Sequence, residues 1–490
     1  MIGVRFAFRG IGFISTLILA RLLKPDDFGL VGLASAVFSL LDTLTDMSVG
    51  TALIRMATLD RRQMDTAWTL NIGRGAVIGA SLALSAGLAA DWMRDPRVTP
   101  ILWVLATTSV IQGFENIGMV AFRRDLRFGK IFEYQVYGKL VAVCVTLSLA
   151  WVFRSYWALV AGTVMSRLFG VAFSYAAHPY RPRLSLAAFG ELFHFSKWLM
   201  INNLLSAIEA YTARLLFGRI GGAPAVGLYE VSWQIGSLPT GEIAAPIREP
   251  IYAGYARLLG NPAALRRQFN DTLALMTMVI CPMSVGLAVT SELTCRLLLG
   301  PKWDAASELI RLCAMYALFD SIGHFTHNIF VVLNRQRRLV LTYAPTVVLR
   351  FGVAIWAGVT WGMVGAVWVL TLTALLNAVM WMLLVLPLLA LPLGEVVDKL
   401  WRTALSSTVM AGALVAWLPL TVGTLSVAEV GTRMAVAVTT GAAICIGTQL
   451  LLWLLSGLPD GPEARIWRNV AAQLGRLASC RAARRRAETR

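Results

Sequence analysis

Residues 21–33, RLLKPDDFGLVGL, align without a gap on residues 219–231, RIGGAPAVGLYEV, at an offset of 198. Arg21 falls on Arg219, Gly29 on Gly227 and Leu30 on Leu228. A second, weaker match at an offset of 211 sets FRRDLRF (122–128) on LNRQRRL (333–339) and Lys139 on Arg350. In both matches one apolar stretch passes through a short polar connection into the next. What is repeated is therefore a pair of successive apolar segments, and the chain reads as a duplication.

The wider composition says what solvent those segments meet. Of 490 residues, 57% are hydrophobic and only 14% charged, whereas an ordinary soluble domain carries about a quarter charged residues. A soluble enzyme, a disordered chain and a disulfide scaffold are all excluded. Repeated long apolar stretches must satisfy their backbone groups internally, which leaves an all-α polytopic membrane protein. Fourteen stretches of suitable length are expected, near 4–23, 30–50, 67–90, 100–122, 132–153, 156–177, 196–217, 225–247, 269–290, 308–333, 339–359, 362–386, 401–422 and 433–455. The N-terminus has Arg5 and Arg9 before its apolar run and no small-residue cleavage site after it, so it is read as an uncleaved first span. The six Cys form no CxxC pair and mostly lie in apolar stretches, as small buried hydrophobes do.

Both repeats shift by six spans, an even number, so the two halves enter the membrane in the same sense. The expected plan is two six-helix lobes related by an axis along the membrane normal, residues 1–183 and 184–392, with a substrate cavity between them. Spans 13 and 14 (393–455) and a basic tail (456–490) lie outside the duplication.

The net charge of +17 invites a nucleic-acid reading, which depends on where the 44 cations sit. Alternate loops, counted with both termini cytoplasmic, hold 29 of them, including eight Arg between Arg465 and Arg490; the opposite loops hold 10. That asymmetry follows the positive-inside rule. The tail reads as a juxtamembrane segment drawn to anionic lipid, and no nucleic-acid partner is expected. Five cations remain inside spans: Arg74, Lys139, Arg167, Arg311 and Arg350.

An ionised residue near a helix centre costs about 2.5–3.5 kcal/mol, so these five need protein or water around them. Acids in the spans, namely Asp42, Asp46, Glu115, Glu209, Glu230, Glu242 and Asp320, offer structural ion pairs. Alternatively the cations, spread over both halves with Lys139 and Arg350 at equivalent positions, line a central basic cavity for an anionic head group such as a phosphate. Asp42 and Asp46 share a helix face, as do Asp320, His324 and His327. With Glu115 they are candidates for coupling to a proton or cation, or simply for hydrogen bonding between helices. No metal site and no cofactor is expected. Pro25-Asp26-Asp27 reads as a turn and helix start rather than a catalytic acid pair, because the external loops are too short to build a sugar-transfer site. No GxxxxGK[ST] loop occurs, so ATP hydrolysis is not expected and the chain is not read as an enzyme.

ARLLKPDDFGLVGLASAVFSLLDTLTDMSVGTALIR, residues 20–55, resembles the signature of the polysaccharide-transporter branch of the multidrug/oligosaccharidyl-lipid/polysaccharide exporter superfamily. There a span ending Ala-Arg-Leu-Leu, then Pro and Phe-Gly, leads into the second helix. AFRRDLRFGKIFEYQ, residues 121–135, is similar to the loop between spans 4 and 5 of that branch. The resemblance runs over roughly residues 1–390 and fades through spans 13 and 14. It implies a Wzx-type flippase, moving a polyprenyl-diphosphate-linked oligosaccharide across the bacterial inner membrane for lipopolysaccharide, capsule or exopolysaccharide synthesis. It also implies two alternating six-helix lobes, usually two further helices, and a polymerase and chain-length regulator as partners. The chain has less before span 1 than is usual in the branch, so the true start is expected upstream. The branch has no fixed catalytic motif, and the cavity residues above are read from charge alone. A drug or cation antiporter of the same fold is the alternative; a membrane glycosyltransferase, polymerase or ligase, and a peptidoglycan-precursor flippase, are the other readings.

Overall fold

The computed structural model describes residues 2–47, 49–50, 53, 60–125, 127–241, 251, 254–255, 257–333, 335–417, 426–459, 461 and 463–464, without the side chains of 2–9, 128, 191–206, 208–210, 327–328, 331, 336–340 and 344. The tail from Arg465, Arg55, Arg248, Glu242 and the side chains of Lys197, Glu209 and His327 thus lie outside the described residues.

Among the described residues the secondary structure is all helical: α1 Ile2–Leu22, α2 Pro25–Leu44, α3 Arg61–Met93, α4 Val98–Gly113, a short α5 Met119–Arg124, α6 Phe128–Phe153, α7 Trp157–Ala177, α8 Phe189–Gly236, α9 Pro262–Val289, a short α10 Ser291–Leu298, α11 Ala306–Val332, α12 Gln336–Leu388, α13 Leu393–Trp417 and α14 Val427–Leu455. Seven of these contain stretches long and apolar enough to cross a membrane by length and composition, which makes the chain a multi-pass membrane protein. Leu84, Leu88, Trp151, Val359 and Leu455 are each more than 70% exposed, acceptable only where hydrocarbon replaces water. Helices α8 and α12, at 48 and 53 residues, would be about 72 and 80 Å long if straight, more than twice the ~30 Å hydrocarbon layer. Each breaks at a glycine, Gly222 (φ 66°, ψ −165°) and Gly362 (φ 72°, ψ −168°), in a backbone region that only glycine enters easily.

Backbone contacts divide the chain into two compact units. The first comprises Met1–Val231, Leu298–Ala306 and Val347–Ala366. Within it the repeated segments meet reciprocally. A Cβ on Gly29 would stand 1.6 Å from the Ala223 carbonyl oxygen, and one on Gly227 would stand 1.8 Å from that of Pro25. Residues 29 and 227, and 25 and 223, are separated by the repeat offset of 198, so each half offers the glycine that the other half's carbonyl needs. This is the self-complementary contact of a twofold axis, made here inside one chain. The helix breaks share that register: Lys24, extended ahead of α2, corresponds to Gly222. Trp303, fully buried, donates its indole N–H to the Ala20 carbonyl at 2.8 Å and packs edge-on to Phe28.

The second unit comprises Ser232–Leu297, Ser307–Thr346 and Val367–Arg490. Its core gathers Tyr255, Phe269, Leu273, Leu318, Phe330, Trp381 and Val385. Helices α13 and α14, outside the duplication, pack on α9 through Met410, Leu414, Ala437 and Cys445, with Val285 and Val289 against them. Beneath this contact lies a buried polar network. Arg402 Nε donates to Glu463 at 3.0 Å, Gln449 donates to the same carboxylate at 2.9 Å, and Ser406 donates to Gln449 at 2.8 Å.

Candidate functional site

In the first unit, helices α3 and α4 approach so closely that side chains are excluded between them. A Cβ on Gly75 would meet the Ser109 carbonyl at 2.7 Å, one on Gly79 the Ala106 carbonyl at 2.9 Å, and one on Gly113 the Asn71 carbonyl at 2.9 Å. Gly75 and Gly79, four apart, form the small-xxx-small surface that lets membrane helices touch backbone to backbone. That contact fixes the rotation of α3 and, with it, the direction of Arg74.

Beside it opens a cavity of about 330 Å³ lined by Asp42, Asp46, Arg74, Glu115, Arg123 and Tyr134, with Asn71, Ser109, Gln112 and Asn116 adding neutral polar groups. Arg74 Nη2 donates to the Asp42 carboxylate at 2.6 Å and to the Asp42 carbonyl at 2.7 Å, while its Nε donates to Thr45 Oγ1 at 3.3 Å. Tyr134 donates its hydroxyl to Glu115 at 2.8 Å. Arg123 and Arg167 both stand within electrostatic range of this Tyr134–Glu115 pair. Three carboxylates and two guanidiniums thus face one polar space, a set able to hold a small cation or an exchanging proton and to respond when an anion approaches its arginines.

Of the residues singled out from the sequence, Asp42, Asp46, Arg74 and Glu115 are brought together here. Arg167 stands beside them, within electrostatic range of Glu115, and the others stand elsewhere. Lys139 lies along α1, its Nζ 3.4 Å from where a Cβ on Gly12 would be. Arg350, only 5% exposed, lies in the first unit with its guanidinium carbon 6.0 Å from the centre of the Phe351 ring. Arg311 belongs to the second unit, where its Nε donates to the Ala288 carbonyl at 3.3 Å. In that unit Asp320 pairs with His324 one turn along the same helix, at 3.3 Å. Arg123, Thr45 and Tyr134 escape a reading based on charge inside spans: Arg123 counts there as a loop cation and the other two are neutral. The Gly75/Gly79 spacing is the signal that points to this helix pair.

Two polar straps bound the same helices. The loop after α7 lies over the start of α3, with the Tyr180 hydroxyl donating to Asp65, the Arg183 amide donating to Asp65 at 2.9 Å and the Ser185 amide to Thr69 at 2.9 Å. Burial raises the Tyr180 pKa above the ordinary phenol value, and the Asp65 carboxylate raises it further, so the hydroxyl remains a donor. At the opposite end Arg97 grips Asp26 at 2.7 and 3.1 Å and Asp95 at 3.0 and 2.8 Å, tying the start of α2 to the turn between α3 and α4. Burial alone would raise the Asp95 pKa; the hydrogen bonds and charge of Arg97 outweigh it and hold the carboxyl below its ordinary value.

The lipopolysaccharide biosynthesis protein WzxC of Escherichia coli (strain K12) is 24% identical over 64% of this chain and 65% of its own length. The teichuronic acid biosynthesis protein TuaB of Bacillus subtilis (strain 168) is 20% identical over 68% of this chain and 70% of its own. Among solved structures, the inward closed conformation of the lipid II flippase MurJ superposes with a TM-score of 0.75 over 92% of this chain and 98% of that one, at 11% identity, a likeness of fold. The polysaccharide biosynthesis protein family matches residues 18–308, a segment that includes both repeat copies at 21–33 and 219–231, and the chain belongs to that family.

Proposed function

We propose that the protein is a flippase for a polyprenyl-diphosphate-linked oligosaccharide, acting by alternating access in the bacterial inner membrane with both termini in the cytoplasm. The observation that carries this reading is membership of a polysaccharide biosynthesis family by a chain that is a multi-pass helical membrane protein. Such a chain meets the sugar polymer pathway at the step where a lipid-borne intermediate must cross the bilayer. The product then passes to a polymerase and a chain-length regulator.

In this reading the six-helix lobes are residues 1–183 and 184–392, and the diphosphate is met at successive points of its passage, not in one shared pocket, by Arg74, Lys139, Arg167, Arg311 and Arg350. Asp42, Asp46 and Glu115 in the first unit couple its passage to a proton or cation, with Asp320, His324 and His327 as a second candidate set. Arg74 is the natural link between the two roles, because a diphosphate drawing on its guanidinium would weaken its hold on Asp42 and change that carboxyl's affinity for a cation. The chain is a transporter in this account and performs no covalent chemistry.

Deletion of the gene, followed by analysis of surface polysaccharide and of lipid-linked intermediates, tests the reading. Loss of polymer with accumulation of the lipid-linked oligosaccharide on the cytoplasmic side is expected, restored by the intact gene and not by one encoding Arg74→Ala. Normal polymer without accumulation would overturn it.

A further inference from the structure

The second unit holds a separate cavity of about 780 Å³ at the joined ends of α9, α13 and α14, lined by Arg266, Arg267, Asn270, Asp398, Trp401 and Arg402 among others. Most of its charges are already paired. Arg266 donates to Glu395 and to the Ala390 carbonyl, Lys399 to Asp271, and Arg402 to Glu463 and to the Asp398 carbonyl. Three lining groups are left over. The exposed Arg267 side chain and the exposed Asp398 carboxylate have no partner among the described residues. The side-chain oxygen of Asn270, a residue 97% buried, accepts no hydrogen bond there. The set is one cationic donor and two oxygen acceptors, one of them charged.

A second feature begins at the same rim. Leu393, Val397, Trp401, Leu405 and Val409 recur every fourth residue along α13 and are all between 38% and 53% exposed. The row extends for about 24 Å, more than the ~15 Å hydrocarbon depth of one leaflet. Trp401 belongs to both features, lining the polar cavity and continuing the apolar row, the position at which an indole suits a membrane interface.

We infer that this cavity binds the head group of a zwitterionic phospholipid, a phosphate carrying an ammonium, with an acyl chain laid along the α13 row. Arg267 takes the phosphate, and Asp398 with the Asn270 oxygen takes the ammonium. An anionic head group such as that of phosphatidylglycerol offers hydroxyl donors but no cation for Asp398, whose carboxylate repels its charge, and a free phosphate would have no use for the row. The site uses none of the residues of the first-unit cavity, so its occupancy is independent of the transport reading.

The test uses the purified full chain, stripped of lipid in detergent and titrated by native mass spectrometry with phosphatidylethanolamine, phosphatidylglycerol, glycerophosphoethanolamine or inorganic phosphate. One phosphatidylethanolamine per chain is expected, preferred over phosphatidylglycerol by about tenfold, with the two water-soluble probes binding far more weakly. Arg267→Gln should reduce binding of both lipids, whereas Asp398→Asn should abolish the preference between them and leave phosphatidylglycerol binding unchanged or stronger. Both side chains are exposed, so melting temperatures should stay near that of the parent; if Arg267→Gln lowers it, the preference read with Asp398→Asn decides. Equal binding of the two lipids by the parent chain, unchanged preference in Asp398→Asn, or glycerophosphoethanolamine or phosphate binding as tightly as lipid would each overturn the inference.

Discussion

Arg74 is held by three oxygens at the end of one neighbouring helix, and Asp42 supplies two of them. The side chains are 24% and 35% exposed, so water screens the pair and its rupture should cost about 1–2 kcal/mol, below the 3–5 kcal/mol of a fully buried ion pair. Arg74→Ala is therefore expected to lower the melting temperature in detergent modestly while abolishing polysaccharide export. The double variant Arg74→Gln with Asp42→Asn should recover the melting temperature and remain without export; recovery of both would reduce the pair to a packing element. The contrast is Arg402 and Glu463, 4% and 2% exposed. Glu463→Ala strands a buried guanidinium and should cost about 3–5 kcal/mol, whereas Arg402→Met with Glu463→Leu removes both charges and should cost much less. Thermal unfolding of the three proteins separates these outcomes. The sequence shows both arginines and both acids but does not show the pairing, since the partners lie 32 and 61 residues apart. Arg402 stands at the start of the expected stretch 401–422, and its partner Glu463 comes only after α14.

At the scale of elements, the glycines explain how charged helices can lie so close. Gly29 and Gly227 face main-chain carbonyls, and an added methyl cannot be accommodated by rotating a side chain out of its way. Gly29→Ala or Gly227→Ala must move a helix, at a cost above the about 1–3 kcal/mol of ordinary overpacking. Because the two residues belong to one reciprocal crossing, the double variant should cost less than the sum of the singles, measurable as a coupling in thermal unfolding. The duplication is legible in the sequence because these glycines remain identical in both copies, while the reason for their identity is visible only where the copies meet. Apolar segments likewise reveal the helices, yet not that 196–217 and the residues up to Gly236 form one helical run broken at Gly222, and 339–359 and 362–386 another broken at Gly362. Nothing local distinguishes a glycine that breaks a helix from one that lets another helix approach.

For the whole molecule, α13 and α14 cover α9 and close the core of the second unit. Removing residues 393–490 would bare Val285, Val289 and their neighbours on α9 and leave Asp271 without Lys399. The shortened chain is expected to fall in steady-state level and to lose protease resistance first in the second unit, as limited proteolysis of membranes would show. The informative part of the basic excess, which first raises the question of nucleic acid, is the handful of cations that pair with acids inside the units. The reciprocal glycine crossing also imposes an order on biogenesis. Gly29 leaves the ribosome almost two hundred residues ahead of Ala223, and the first unit further requires Leu298–Ala306 and Val347–Ala366. Its earliest helices must therefore remain inserted but unclosed through most of translation, exposed to quality-control proteases and to mispairing, until the second copy of the repeat arrives.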